Sequence, residues 1–541
     1  MAVEESRGME HKPDHPMADL DQAEILLAEL PMDNAFEALE KITAWLASVT
    51  ATPGFRPDNR LAVIQLLDEA GQLFSVEVQR QYLAASRLQS SQDKWLWQAV
   101  LDFSQRGAEA YGACLNEMRQ QGHGQSLPPE QLALVCTRAM RAYAIQLKLV
   151  LMRYQPVEQR IWDGLFGLYS LALTGGVAAT QVRAFLNEVW PSSVQQELLR
   201  ALMLEVASPE SLTPDQLELA YRVASRFASE FDFLNHPNTD CGYYINLAQP
   251  QPPKYLDKEM TVNAGFRFFG AGLVRSKLEQ IIKQNELGTV EHEARFGEDY
   301  TVDQKLTMLR HLPVFWGPNP PRRRQEREGV SVDIDIVHGY NVVSKLITQV
   351  DFSGTPRLTA ETTAKLKEQS RADSIGTEFS VEAWTAQDVS TKGVGATVPP
   401  DAGNWVKVGS VCGLKSQSSE SWWVGIIRRL RTNMHNHLLA GIVILARKPV
   451  AVWLRAPGKQ MEQVEEWSTL SGLFTYDYLH AILLPDENQS FGNATLLMSS
   501  GDYTPERIFD VMMGEKSRSI KLIELLERGG DFDLVSFQWL T

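Results

Sequence analysis

The densest positive charge in the chain is the run Arg322-Arg323-Arg324-Gln325-Glu326-Arg327. A guanidinium is a planar fork of donors. It fits a phosphate, the O6 and N7 edge of guanine, or the face of a flat ring. Arg323 and Arg327 are four residues apart, so one turn of chain can aim both at a single compact ligand. A second run with chemical capacity is Asp388-Val389-Ser390-Thr391-Lys392-Gly393. The Asp388 carboxylate can accept from the N1 and N2 donors of guanine. Ser390 can bond a ligand or brace a turn. Gly393 admits a positive φ or the close approach of a ligand. Taken singly, the first run is also what a solvated basic linker looks like, and the second an ordinary turn.

The background sharpens the first run. The 541 residues carry 67 Asp and Glu against 52 Lys and Arg, a formal net charge of -15. Such a surface repels nucleic acid and anionic membrane, so an anionic ligand needs a local arginine cluster. Cys114, Cys136, Cys241 and Cys412 are far apart, with no pair at metal-binding or disulfide spacing. No apolar run reaches the roughly 18 residues of a membrane span. Met1–Asp19 is polar with no apolar signal core, and is expected to be a disordered lead-in to a cytoplasmic protein.

Other constellations are weaker. His435 and His437 could hold a metal but lack a third ligand, and a polar hairpin tip suits them better. His236, Asp240 and Cys241 fit no metal spacing. Arg428, Arg429 and Arg431 form a second basic group; alternation puts Arg429 and Arg431 on one strand face, for solvation first and an anionic ligand second. Gly175-Gly176 suits a turn between helices. Trp45, Trp95, Trp97, Trp162 and Trp190 are expected in the core. No nucleophile–base pair stands out, so no catalytic residue, metal or cofactor is expected.

The elements that must position these groups follow from periodicity. Residues 20–232 read as an all-helical domain. Its helices are expected at Asp33–Val49, Leu61–Leu83, Glu130–Tyr154, Glu158–Leu173, Thr180–Val189, Ser193–Ala207 and Thr213–Phe231. Asp33 is expected to cap the first, and Thr213-Pro214 to open the last. Residues 233–321 form a mixed α/β connecting segment in which QPQPP and GPNPP are linkers. Strands then alternate from Val330, at Val330–Val337, Phe379–Trp384, Trp405–Leu414, Trp422–Leu430, Ala440–Ala446 and Val450–Leu454. They are interrupted by a polar insertion near 351–373. Residues 457–541 continue as a β-rich region, either a second barrel or an extension of the first, with KLIELLERG open to helix or strand. The fold class is therefore multidomain α+β: a helical domain, a small antiparallel β-barrel over 322–456, and a β-rich C-terminal region.

Arg323-x-x-x-Arg327 before the barrel and Asp388-x-Ser390-x-x-Gly393 on it resemble, in order and setting, the two signatures of the PilZ family of cyclic di-GMP receptors. The resemblance covers about Arg322 to Arg455, including closing strands in WWVGIIRRLR, AGIVILA and PVAVWLR. It implies that Arg323 and Arg327 clamp guanine and phosphate while Asp388, Ser390 and Gly393 bind from the barrel face. The function implied is a non-enzymatic cyclic di-GMP receptor whose helical region engages a protein partner, without nucleic-acid binding or membrane insertion. The alternative is an interaction scaffold whose barrel has lost the ligand.

Overall fold

In the computed structural model of the protein, several helices start where a side chain satisfies free backbone N–H groups. Asn34, rather than the neighbouring Asp33, accepts from Glu37 at the head of the helix Ala35–Ala51. Ser193 does the same for Val194–Glu205. Thr213 and Gln216 cap each other reciprocally where Pro214–Arg226 begins, with Pro214 in the first turn. The described residues are 13–87, 92–120, 127–257, 260–286, 296–321, 328–350, 380–416, 419, 421–457, 478–485, 495–513 and 516–540. They belong to two units, Met1–Arg322 and Arg323–Thr541.

The first unit contains α1 (Leu20–Ala28), α2 (Ala35–Ala51), α3 (Pro57–Arg87), α4 (Asp93–Gln120), α5 (Pro129–Met152), α6 (Gln159–Thr174), α7 (Val194–Glu205) and α8 (Pro214–Arg226). One apolar core runs through them. Helix α5 is buried nearly all round and carries charge inward. Lys148 Nζ bonds Glu218 of α8 at 2.8 Å and Gln79 of α3 at 2.9 Å, and Arg141 bonds Glu197 of α7 at 2.7 Å. Buried charge is costly unless paired, so these pairs select which helix faces α5. Burial alone would raise the Glu197 carboxyl; Arg141 and Arg200 prevail and hold it at about 2.

The structure corrects several expectations here. Thr180–Val189 is not a helix, because its backbone groups are taken by side chains. Ala184 O accepts from Arg138 Nε at 2.6 Å, Leu186 N donates to Glu69 at 2.7 Å, and Val182 bridges Ser192. Trp190 in that loop is 70% exposed, and Trp95 is 69% exposed, so neither joins the core. Residues 13–19, expected to be disordered, are packed. Met17 is fully buried, and His15 bonds Ser48 at 3.0 Å and sets its ring edge against Phe55. Residues 1–12 lie outside the described residues. Helix α4, not anticipated, shows its stripe in Trp97, Val100, Leu101, Ser104, Ala108 and Tyr111.

Residues 233–321 are mixed α/β as expected, and much of the segment packs into the helical core. Strands β1 (Asp232–Leu234), β2 (Tyr243–Asn246), β3 (Gln249–Tyr255) and β4 (Phe266–Gly270) form a sheet in the order β1-β4-β2-β3. Helices α9 (Val274–Glu286) and α10 (Val302–Trp316) follow. Tyr243, Ile245, Phe269 and Trp316 all contribute to the helical core. The prolines of QPQPP sit in β3, an edge strand, where a missing N–H costs little.

The second unit holds two closed barrels. The first comprises β5 (Glu328–His338), β6 (Glu382–Ser390), β7 (Gly393–Thr397), β8 (Val411–Ser416), β9 (Trp423–Thr432) and β10 (Leu438–Ala446), in the order β10-β7-β6-β5-β8-β9. The second comprises β11 (Val450–Arg455), β12 (Tyr478–Leu484), β13 (Thr495–Ser499), β14 (Ile508–Met513), β15 (Lys516–Arg528) and β16 (Phe532–Trp539), in the order β11-β12-β13-β16-β15-β14. The tail is thus a second barrel, and KLIELLERG is strand. Val450–Arg455 was expected to close the first barrel; it pairs instead with β12 and β14. Trp405, expected to begin a strand, lies before β8 and stacks on Trp384 and His338.

Helix α11 (Tyr340–Val350) directly follows β5 and was not anticipated, although Tyr340, Val343 and Ile347 recur at helical spacing. Those three pack in one core with Val411, Val424 and Ile426 of the first barrel and Ala451, Ile482, Leu497 and Phe532 of the second. The expected insertion near 351–373 lies outside the described residues.

Candidate ligand-binding site

Trp384 and Ala386 are buried in the first barrel, so strict alternation along β6 would also turn Asp388 and Ser390 inward. A bulge prevents this. Ala386 pairs with Ala396, but Asp388 pairs with Gly395, leaving Gln387 as the extra residue. Asp388 therefore takes the outward position that Gln387 would have held, and Ser390 faces outward opposite Gly393. Val389 takes the inward place opposite buried Val394. Cross-strand partners share a face. A Cβ on Gly395 would lie 2.6 Å from Asp388 Oδ1, so the missing side chain makes room for the carboxylate.

The turn between β6 and β7 is held from several sides. Ser390 Oγ donates to Gly393 O at 3.2 Å, so its hydroxyl braces the turn. Arg447 Nη2 donates to Ser390 O at 3.1 Å and to Thr391 O at 3.3 Å, with its guanidinium over Trp423 at 4.2 Å. Gly393 is needed for packing: its φ is not positive, and a Cβ there would lie 2.7 Å from Ile442 O on β10. The close approach that glycine permits is thus to a neighbouring strand.

Arg323 and Arg327 lie outside the described residues. Their connection is nonetheless constrained. Arg327 is joined by one peptide bond to Glu328, which pairs with Val389, and Gly329 pairs with Asp388. The first described residues of β5, which follow Arg327 in the sequence, thus pair with β6 at Asp388 and Val389.

The other candidates resolve simply. His435 and His437 are exposed at the tip between β9 and β10 with ring centroids 6.5 Å apart. No group of three or more metal-ligating side chains occurs among the described residues. Gly175 and Gly176 end α6, Gly176 with φ +69. His236 and Asp240 are exposed in a turn, and Cys241 is buried beside them. The four cysteines are free and buried; burial pushes the thiols up, to about 11 for Cys114 and about 12 for Cys136 and Cys412. Arg428 pairs with Glu527 across the two barrels. Arg429 and Arg431 are exposed on β9. Arg447, Gly395 and Gly441 escaped sequence reasoning; the period-two glycines of Gly393-Val394-Gly395 were the available signal.

Two family models match the chain. Residues 21–238 match the N-terminal domain of the cyclic-di-GMP receptor FimW, and residues 472–540 match the FimW C-terminal β-barrel domain. The chain is thus similar to both domains of the FimW family. Together the matches span just over half of the 541 residues. The N-terminal FimW match covers α1 to α8 and β1, and the C-terminal one covers β12 to β16. The first barrel, with Asp388 and Ser390, lies between the two FimW segments. No curated protein and no solved structure matches. Among the described residues, no helix is long and apolar enough to cross a membrane.

Proposed function

We propose that this chain is a non-enzymatic receptor for cyclic di-GMP and that the ligand binds on the outer face of the first barrel. Asp388 takes the N1 and N2 donors of a guanine. Arg323 and Arg327 close over the ligand from the segment before β5, pairing with phosphate and with guanine O6 and N7. Ser390 and Gly393 hold the turn that presents Asp388. The observation that carries this reading is the bulge in β6, which turns Asp388 and Ser390 outward at the end where β5 begins. The FimW-family description as a cyclic-di-GMP receptor supports the choice of ligand.

Engagement of the ligand by Arg323 and Arg327, in the stretch of sequence between the helical unit and the first barrel, is the proposed coupling step; the helical unit then presents a surface to a protein partner. The first barrel's PilZ-like character rests on the two motifs. The test is calorimetric titration of cyclic di-GMP into the wild type and an Arg323→Ala, Arg327→Ala variant. The expected result is micromolar or tighter binding that the variant loses. Absence of heat and of any thermal shift in the wild type would leave the scaffold reading in its place.

A further inference from the structure

Helix α3 carries a stripe of four residues on its outer face. Glu69, Leu73, Val76 and Arg80 are spaced four, three and four apart. At about 100° per residue they fall within about 60° of one another, so all four project to one side of the helix. Leu73 and Val76 are each more than half exposed, and Arg80 is exposed beyond them.

The loop between α6 and α7 extends this stripe. Leu186 N donates to Glu69 at 2.7 Å, which fixes the loop one turn of α3 from Leu73. Arg138 of α5 donates to Ala184 O at 2.6 Å and lies over Phe185 at 4.6 Å, Arg141 pairs with Glu188, and Val182 bridges Ser192. Helix α5 runs beside α3, with Arg138 donating to Gln65 O and Lys148 to Gln79. Leu186 and Glu188 are therefore held beside the stretch of α3 that bears Leu73 and Val76. So anchored, the loop turns Leu186, Val189 and Trp190 out to water, each more than two-thirds exposed. With Leu73 and Val76 they present roughly 600 Å² of apolar surface, the top of the range for the largest patch of an ordinary monomer. A stable interface takes about 800 Å² from each partner, so this patch and a polar rim suffice for one.

The ends of the stripe select the occupant. An apolar pair lies in the middle, with Glu69 at one end and Arg80 at the other. Two copies of α3 laid antiparallel about a two-fold axis between Leu73 and Val76 bring Leu73 of each copy against Val76 of the other. The same operation brings Arg80 of each to Glu69 of the other. Arg80 is available for this: among the described residues its one ion pair is with Glu77, three residues on, an exposed pair worth little. Glu69 accepts from Arg138 and from Leu186 N, and a carboxylate has about four acceptor positions, so it has room for a further donor. With one charge of each sign the stripe is neutral, so two copies of a chain of net charge -15 can meet along it without setting like charges together.

We propose that this face joins two copies of the chain in a two-fold dimer, α3 packed on α3, with the loop that bears Leu186, Val189 and Trp190 flanking the contact in each copy.

The test is sedimentation equilibrium of the full chain, without ligand, for the wild type, Val76→Arg, Trp190→Ser and Arg80→Glu. All three positions are exposed, so the variants should fold, and circular dichroism with a melting curve checks this. The wild type is expected to dimerise at micromolar concentration. Val76→Arg sets a charge in the apolar centre and should weaken association by about a hundred-fold, and the other two by about ten-fold each. Cysteine cross-linking gives a second readout, since the four native cysteines are free and buried. Leu73→Cys should form a disulfide-linked dimer under mild oxidation, whereas Ile25→Cys, equally exposed on α1, should not. A wild type that is monomeric up to about 100 μM overturns the proposal and leaves the face to an unlike protein. A dimer that Val76→Arg leaves intact overturns it as well. So does cross-linking through Ile25→Cys as readily as through Leu73→Cys.

Discussion

The two barrels of the C-terminal unit have the same strand count and opposite outer surfaces. In the second barrel, surface arginines are tied down by its own residues: Arg455 by Asp510, Arg528 by Asp533, Arg507 on Phe509 and Arg518 on Trp539. Asp533 is fully buried and also accepts from Gly501 N and Tyr503 N, locking a loop. In the first barrel, Gly395 and Gly441 stand at outward positions without a side chain, and Arg429 and Arg431 have no such tie among the described residues. Closure into a barrel removes edges and gives stability in both cases. What a barrel binds is decided by the side chains omitted or left unpaired on its outside. The second barrel spends its arginines on itself; on the first, among the described residues, Arg429 and Arg431 have neither an ion pair nor a ring contact.

The contrast can be broken most sharply at the arginines. Replacing Arg323 and Arg327 with Ala should weaken cyclic di-GMP binding by about a hundred-fold or more, at about 1.5–3 kcal/mol per charge-assisted contact. Arg528→Ala in the second barrel should leave it unchanged. Calorimetry on both variants reads the difference, and equal losses would erase the distinction.

The next effect is on the contact between α11 and the second barrel. Thr348 Oγ1 donates to Ser344 O at 2.8 Å, so toward His480 Nε2, at 2.9 Å, it can only accept. His480 is therefore the neutral Nε2–H tautomer, with Ser344 Oγ donating to Nδ1. Burial holds the imidazole down at about 4. A depressed histidine adds stability above its ordinary value of 6.5, and that stability is lost as pH falls toward 4. The loss should be about 2–3 kcal/mol. Amide exchange across Tyr340–Val350 should quicken, after correction for intrinsic rates, between pH 7 and pH 5. His480→Phe should flatten the change, and persistence of the pH effect in that variant would refute the assignment.

Two smaller effects test the first barrel's surface. Gly395→Ala pushes a methyl group into the Asp388 carboxylate and should cost about ten-fold in ligand affinity with little change in melting temperature. Arg428→Ala removes a partly exposed pair with Glu527 and should cost about 0.5–1 kcal/mol at low salt, less at high salt. Chemical denaturation of the second unit measures it.

Much of the fold was legible. The helical half, the alternating strands from Val330 and the order of the two motifs follow from periodicity and turn residues, as do the capped start at Thr213 and most helix positions. The failures share a cause. Thr180–Val189 has helical composition, but Arg138, Glu69 and the Val182–Ser192 bridge take its backbone groups. QPQPP resembles a linker yet pairs on one side as an edge strand. Val450–Arg455 has the pattern of any barrel strand, and only its partners reveal which barrel it joins.

By itself the sequence determined which residues could do chemistry: arginines dense enough to hold an anion on an acidic chain, and a carboxylate, a hydroxyl and a glycine at turn spacing. Charge and functional-group chemistry are local properties, written in residue type. Tertiary structure alone decided which way those groups face. Read by alternation from Trp384, Asp388 and Ser390 belong inside the barrel; the extra residue Gln387 turns both out. A bulge is a property of two paired strands, so it cannot be read from one of them.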